Sequence, residues 1–431
     1  MSPVMLGLIG LVVLVVLILL RMWIGAAMAL VGFLGYGYIM GFKAAYAVVA
    51  QIPYTTVANY TLTTVPLFIL MGEVLARTEV GVDLYDAAYK WVGHLRGGLA
   101  MATVFACTLF AAICGVSGPA VVTMGRVAYP EMKKRNYKDT IATGSIVCAG
   151  TLAFLIPPSV VFIIYAILTE QSVGKLLMAG ILPGLLLSSL YILTIFLLTR
   201  LNPDLAPSGP KASFRERVRS LSKIWHALAL FIIVLGGMYV GVFTPTEAGA
   251  IGAFGAVVIT ALYRRLTWKA LWEALLEATT ITSFVFLMIV GAYILMKFLA
   301  VSGLTQALAQ LVEEIGVSKY GILSAIIVLY LILGMFLDII SAVILTMPVI
   351  YPLIKYLGFD PIWFGVIVVI LIEIGLITPP VGLDTYQLSG VTGISVSTIF
   401  RGAIPFLIAA LVGIALIILF PQIALFIPST M

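Results

Sequence analysis

Apolar runs dominate this chain, separated by short polar clusters, and many approach the roughly 20 residues a helix needs to cross a bilayer. The first run, residues 4–20, has no basic segment before it and is followed directly by another span, so it reads as a retained transmembrane helix rather than a signal peptide. Other runs are too interrupted to be simple spans. Residues 105–128 are broken by Gly115-Val116-Ser117-Gly118-Pro119, and residues 334–350 carry Leu337-Asp338-Ile339-Ile340-Ser341 near their start. Both breaks predict tips of re-entrant hairpins. At the first, Ser117 or Gly118 can cap a new half-helix with Pro119 in its first position, where a missing N–H costs nothing; at the second, Asp338 and Ser341 are good caps. Downstream, Ile156-Pro157-Pro158-Ser159 and Thr378-Pro379-Pro380-Val381-Gly382 interrupt a helix, because proline removes a donor and clashes with the preceding turn.

The breaks recur. Tyr129 and Tyr351, Pro157 and Pro379, and Pro183 and Pro405 are each 222 positions apart, and Gly81 and Gly303 keep the same spacing. A slightly shorter spacing relates Gly32-Phe33-Leu34-Gly35 to Gly252-Ala253-Phe254-Gly255, so the duplication covers most of the chain. The expected fold is an all-α polytopic membrane protein of two inverted structural repeats, each with one re-entrant helical hairpin and one helix broken at Pro-Pro. Expected boundaries are 1–100 for the scaffold and arm helices of the first repeat and 101–200 for its core. A basic linker follows at 201–224, then the second scaffold at 225–320 and the second core with the final helix at 321–431.

Composition fixes the solvent. With 62% hydrophobic residues, 10% charged and a mean hydropathy of +1.19, the chain is excluded from the water-soluble class. Cys107, Cys114 and Cys148 lie in apolar surroundings without zinc-like spacing, which predicts packing roles and no transition-metal site. Of the formal net charge of +6, the stretch 200–223 supplies +4, with six basic residues against Asp204 and Glu216. By the positive-inside rule this linker faces the cytoplasm, as do the clusters around Lys133 and Arg264, and the amino terminus lies outside. Nothing in this patch suggests nucleic acid. Trp91, Trp225, Trp268 and Trp272, near charged segments, read as interfacial anchors.

Broken helices cost several kcal/mol per unpaired backbone group if they face lipid, so they must line protein or water. A half-helix ending at a break directs carbonyls at the gap and suits Na⁺; one beginning there directs N–H groups and suits an anion. Glu73, Glu247 and Glu373 lie in apolar runs and are expected to face the protein interior or an interface. Arg126 either balances an anion or snorkels beside Lys133-Lys134-Arg135.

Five segments carry a resemblance: Gly150 to Ser159, Pro130-Glu131-Met132, Thr244-Pro245-Thr246-Glu247-Ala248, Gly334-Met335-Phe336-Leu337-Asp338 and Glu373 to Gly382. They resemble the motifs of the large membrane subunit of tripartite ATP-independent periplasmic (TRAP) transporters, nearly end to end. The resemblance implies an elevator-type importer in a bacterial or archaeal inner membrane, using Na⁺ as coupling ion and no other cofactor. It also implies a small four-helix membrane subunit and a periplasmic substrate-binding protein that delivers a small organic anion, a carboxylate or sulfonate. By motif, sodium binding falls on Ser117, Gly118, Pro119, Thr151, Pro157, Asp338, Thr378, Pro379 and Gly382; substrate binding is expected on Ser117, Ser159 and Ser341 at the tips and breaks, and on Asp384 and Arg126 by their charge. Two departures stand out: Leu371 and Asp384 occupy positions where many members carry an amide.

Two rival readings remain. Gly115-Val116-Ser117-Gly118 fits a nucleophile pattern for an intramembrane serine protease, which needs a histidine base, yet both His94 and His226 look interfacial. A passive anion channel is the other, since re-entrant hairpins also build pores.

Overall fold

The computed structural model describes residues 2–78, 80–115 and 117–431, and among them the chain is α-helical with short 3₁₀ turns. Among the described residues seven helices are long and apolar enough to cross a membrane, or eight if the pair Phe42–Val57 and Tyr60–Ala76, bent by 52°, forms one span. The chain is therefore a multi-pass membrane protein.

The first half opens with α1 (Pro3–Leu19), α2 (Ile24–Met40), α3 (Phe42–Val57), α4 (Thr64–Ala76) and α5 (Val80–Val92). A hairpin of α6 (Gly98–Cys114) and α7 (Ser117–Lys134) follows, then a broken helix of α8 (Asp139–Thr151) and α9 (Val160–Leu168), then α10 (Val173–Ala179) and α11 (Ile181–Leu201). The second half begins with α12 (Phe214–Tyr239), α13 (Pro245–Leu262), the long α14 (Trp268–Ser302) and α15 (Leu304–Ile315). Its hairpin is α16 (Lys319–Phe336) with α17 (Ile339–Tyr356), its broken helix α18 (Pro361–Leu376) with α19 (Leu383–Thr392), and α20 (Val396–Leu419) and α21 (Gln422–Ser429) end the chain. Both hairpins and both breaks fall where proline, glycine and capping residues predict them. Helix bounds keep the sequence spacing as well: α7 and α17 open at 117 and 339, α8 and α18 at 139 and 361.

The two halves interlock. α2 of the first half packs along α14 of the second, where a Cβ on Gly291 would collide with the Gly25 carbonyl. Reciprocally, α13 of the second half packs on α4 of the first, joined by a 2.9 Å hydrogen bond between the buried Thr64 and Thr246 hydroxyls. Small residues that let backbones touch are the main attraction between helices where lipid already solvates apolar side chains. The same device joins the second hairpin to its broken helix, with Gly334 of α16 against Gly375 of α18.

Burial concentrates on the broken helices. All of α9, and α18 from Trp363 onward, are buried, so the first break and the helix leading into the second sit in protein, while Pro379 and Pro380 of the second break are exposed. Trp91, Trp225, Trp268 and Trp272 are exposed on the outer surface. Cys107 and Cys148 are buried in the core, while the Cys114 side chain and Val116 lie outside the described residues.

Two details differ from the sequence reading. The stretch 201–224 is not all linker, because Ser213 and Glu216 form a capping box that starts α12 at Phe214. The true connection is pinned down: the amides of Gly97 and Lys138 donate to the carbonyls of Ala206 and Leu205 at 3.3 and 3.0 Å. Glu247, expected to face the protein interior or an interface, does not face the interior: it is exposed in the first turn of α13, where its carboxylate accepts from the Thr244 amide at 2.8 Å. The Thr-Pro-Thr-Glu sequence is a helix start, and its glutamate satisfies backbone donors rather than a neighbour across the bundle.

Candidate functional site

Hairpin tips and helix breaks meet. Gly115 ends α6 in a left-handed turn (φ 64°), and any Cβ there would strike the carbonyl of Pro158, so the first tip rests against the first Pro-Pro break. α7 then opens at Ser117. The second tip has a side-chain cap: Asp338 accepts from the Ser341 amide at 3.0 Å, opening α17.

The breaks carry hydroxyls at their edges. Thr151, at the end of α8, donates to the Cys148 carbonyl at 2.8 Å and is also hydrogen-bonded to the buried Tyr191 of α11. Ser159 caps α9 by accepting from the Phe162 amide at 3.3 Å. In the second break Thr378 donates to the Ile374 carbonyl, and Gly382 (φ 62°) opens α19. Both Pro157-Pro158 and Pro379-Pro380 peptide bonds are cis.

Between these parts lies a cavity of about 310 Å³. The first tip contributes Ser117, Gly118 and Pro119, the second Asp338, Ile339 and Ile340, and α19 contributes Asp384 and Gln387. Further lining comes from outside the hairpins, with Glu73 on α4 and Glu277 on α14. The two halves are tied across this cavity by Ser117, whose hydroxyl donates to Asp384 Oδ1 at 3.2 Å. Asp384 is 2% exposed and its Oδ2 has no hydrogen-bond partner among the described residues. Close behind it Glu373 is equally buried, with Oε1 unpartnered.

Of the residues singled out in the sequence, Ser117, Gly118, Pro119, Asp338 and Asp384 line this cavity. Thr151, Pro157, Ser159 and Gly382 are buried at the breaks behind it, Thr378 is half-buried and Pro379 exposed. Ser341 is buried with its hydroxyl toward the Met288 sulfur at 3.9 Å. Arg126 is elsewhere. Nine residues along α7, about 13 Å from Ser117 by helical rise, it is exposed and lines a separate cavity of about 620 Å³ with Lys133 and Lys134. Glu277 and Gln387 were not anticipated; Glu277, one turn beyond Glu273 and the last charged residue before the apolar stretch of α14, was the available signal for the first. Gln387 gave none.

The arrangement is suited to holding small ions and polar solutes, not to nucleophilic catalysis. Ser117 donates to a carboxylate rather than to a histidine, and His226 is stacked on Tyr263 at 4.2 Å between ring centroids.

Residues 11–423 match the family described as "Tripartite ATP-independent periplasmic transporter, DctM component". The chain is 38% identical over 377 residues to the C4-dicarboxylate TRAP transporter large permease protein DctM of Pseudomonas aeruginosa, covering 87% of this chain and 88% of that protein. It is 33% identical to the ectoine/5-hydroxyectoine TRAP transporter large permease protein UehC of Ruegeria pomeroyi, covering 91% and 92%. It is 31% identical to the sialic acid TRAP transporter large permease protein SiaM of Vibrio cholerae, covering 94% and 98%. These relatives are transport permeases, not enzymes. Among solved structures, the YdaH transporter of Alcanivorax borkumensis shares the fold, with a TM-score of 0.68 at 15% identity over 89% of this chain and 90% of that one.

Proposed function

Because the chain belongs to the DctM component family of tripartite ATP-independent periplasmic transporters, we propose that it imports a small organic acid across the inner membrane, driven by Na⁺. A periplasmic binding protein delivers the cargo, and a small second membrane subunit completes the permease. The observation that carries this reading is the cavity where both hairpin tips and the second broken helix meet under a wall supplied by α4 and α14.

Each chemical part has a candidate. Carbonyls at the C-terminal ends of α8 and α18, with the hydroxyls of Thr151 and Thr378, supply the hard oxygen donors that Na⁺ prefers, and Asp338 adds charge at the second tip. N–H groups opening α7 and α17 face the cargo's carboxylate with a partial positive charge. Sodium binding orders the tips and organises the pocket. The loaded core of hairpins and broken helices, related in the two halves by inversion, then moves as an elevator against a scaffold that includes α4 and α14. Direction comes from the higher cargo affinity of the sodium-loaded state.

The test is uptake into proteoliposomes holding this chain and its small partner, with cargo offered on the encoded binding protein. Concentrative uptake that needs both Na⁺ and the binding protein is expected. Equilibration without Na⁺, at single-channel currents far above carrier turnover, would instead mean a passive anion channel.

A further inference from the structure

α7 leads away from the central cavity. It opens at Ser117 in the first tip and ends at Lys134 beside Arg135, a basic cluster that the positive-inside rule sets on the cytoplasmic side. α19 accompanies it. A Cβ on Gly118 would meet the Gln387 amide oxygen at 3.0 Å, and one on Gly125, about two turns on, would meet Leu388 and Val391 at 2.9 and 3.3 Å. Gly118 and Gln387 line the central cavity, and Gly125 and Val391 line the larger one of about 620 Å³, so the same two helices wall both.

The charged side chains lining this second cavity are Arg126, Lys133 and Lys134, and no carboxylate lines it among the described residues. Both lysines are held from outside the lining, Lys133 by Asp139 at 2.7 Å and Lys134 by Glu131 at 2.8 Å. The Tyr129 hydroxyl also donates to Asp139, and Arg135 is turned onto the Tyr89 ring. Arg126 has no ion pair or hydrogen bond among the described residues, so the positive charge left over sits on the lining cation nearest the tip. A guanidinium presents a planar fork that takes an oxyanion through two parallel N–H···O bonds. Arg126 is exposed, so such a pair is screened and weak. Weak holding suits a place that a solute must leave as readily as it enters.

We propose that Arg126 makes this cavity a release-side site for a small organic anion, where the carboxylate or sulfonate of the cargo pauses after leaving the central cavity. This rests on the import reading above and adds a second station to its route. Arg126 takes the anionic group, Lys133 and Lys134 add longer-range attraction, and Gly125 and Val391 leave an apolar wall for the carbon skeleton.

The experiment has a binding arm and a transport arm. In the complete permease, with Cys107, Cys114 and Cys148 replaced by alanine, Thr392→Cys places a thiol in the cavity wall. Its alkylation by the uncharged N-ethylmaleimide is timed with succinate or isethionate and with chloride at equal ionic strength. A dissociation constant of about 10 mM, within reach of one screened ion pair beside two lysines, gives about fourfold slower labelling at about 30 mM anion. Adding Arg126→Gln should abolish this protection, and Arg126→Lys should keep part of it. In proteoliposomes whose uptake depends on binding protein supplied outside, the lumen is the cytoplasmic side. The lumenal concentration of accumulated acid that halves the initial uptake rate should rise about fourfold in Arg126→Gln, with a smaller change in the external concentration for half-maximal uptake. No protection by either anion, or protection that survives Arg126→Gln, overturns the site. Protection with an unmoved lumenal inhibition overturns its place on the cargo route. If the unaltered permease concentrates no organic acid under a Na⁺ gradient, the import reading fails, while the labelling arm still decides whether the anion site exists.

Discussion

At the scale of single residues, the site depends on a few polar atoms held where water is excluded. Ser117 satisfies one oxygen of a buried carboxylate across the junction of the two halves. Ser117→Ala leaves that oxygen unpaired, which for a hydrogen bond to a charged group costs about 1.5–3 kcal/mol. Transport by this variant should need about tenfold more Na⁺ for half-maximal rate, with membrane insertion unchanged; an unaltered Na⁺ dependence removes the hydroxyl from the account. Asp338→Ala, which strips the cap from α17, should raise the Na⁺ requirement in the same assay, whereas Asp338→Asn keeps the cap and loses only the charge. Much of this was legible in the sequence, because capping residues beside helix breakers have few other reasons to lie in an apolar run. Arg126 was less so. Its residue type suggests an anion partner, but its depth along α7 is a property of the folded hairpin, and that depth sets it apart from the cavity.

At the scale of elements, the helices follow from punctuation. Paired prolines, capping boxes and left-handed glycines end or start many of them, and hairpins and breaks appear where those signals stand. What local signals do not encode is which helix lies against which. Gly291 and Gly375 are ordinary glycines in apolar helices until α2 and α16 press against them. Adding one methyl at Gly375 forces α16 away from α18, and such overpacking typically costs about 1–3 kcal/mol. Gly375→Ala should therefore lower the melting temperature of the detergent-solubilised protein, whereas Gly390→Ala, with open space around it, should cost only what a helical glycine-to-alanine change does. Equal melting points for the two would contradict the close crossing. Glu247 shows the converse, since the capping box of α13 is a local motif, readable from Thr244 and Glu247 without knowledge of any neighbouring helix.

At the scale of the whole molecule, the interlocked halves divide the cavity between two sets of walls. The tips and α19 supply one set of lining residues, α4 and α14 another. The proposed elevator slides one past the other, so a thiol-reactive crosslink between cysteines placed at Glu277 and Gln387, which line the same cavity from α14 and α19, should stop uptake until the link is cleaved by reductant. The 222-residue spacing recurs in the starts of α7 and α17 and of α8 and α18, but the packing of α2 on α14 and of α13 on α4 is something no spacing records. The central claim is that these parts form a Na⁺-driven importer fed by a binding protein, and it is tested most directly by cargo uptake into proteoliposomes of the two membrane subunits with the gradient and the binding protein each present or absent. Accumulation above the outside concentration only when both are present is the predicted result; uptake that ignores either one, or merely equilibrates, would contradict it.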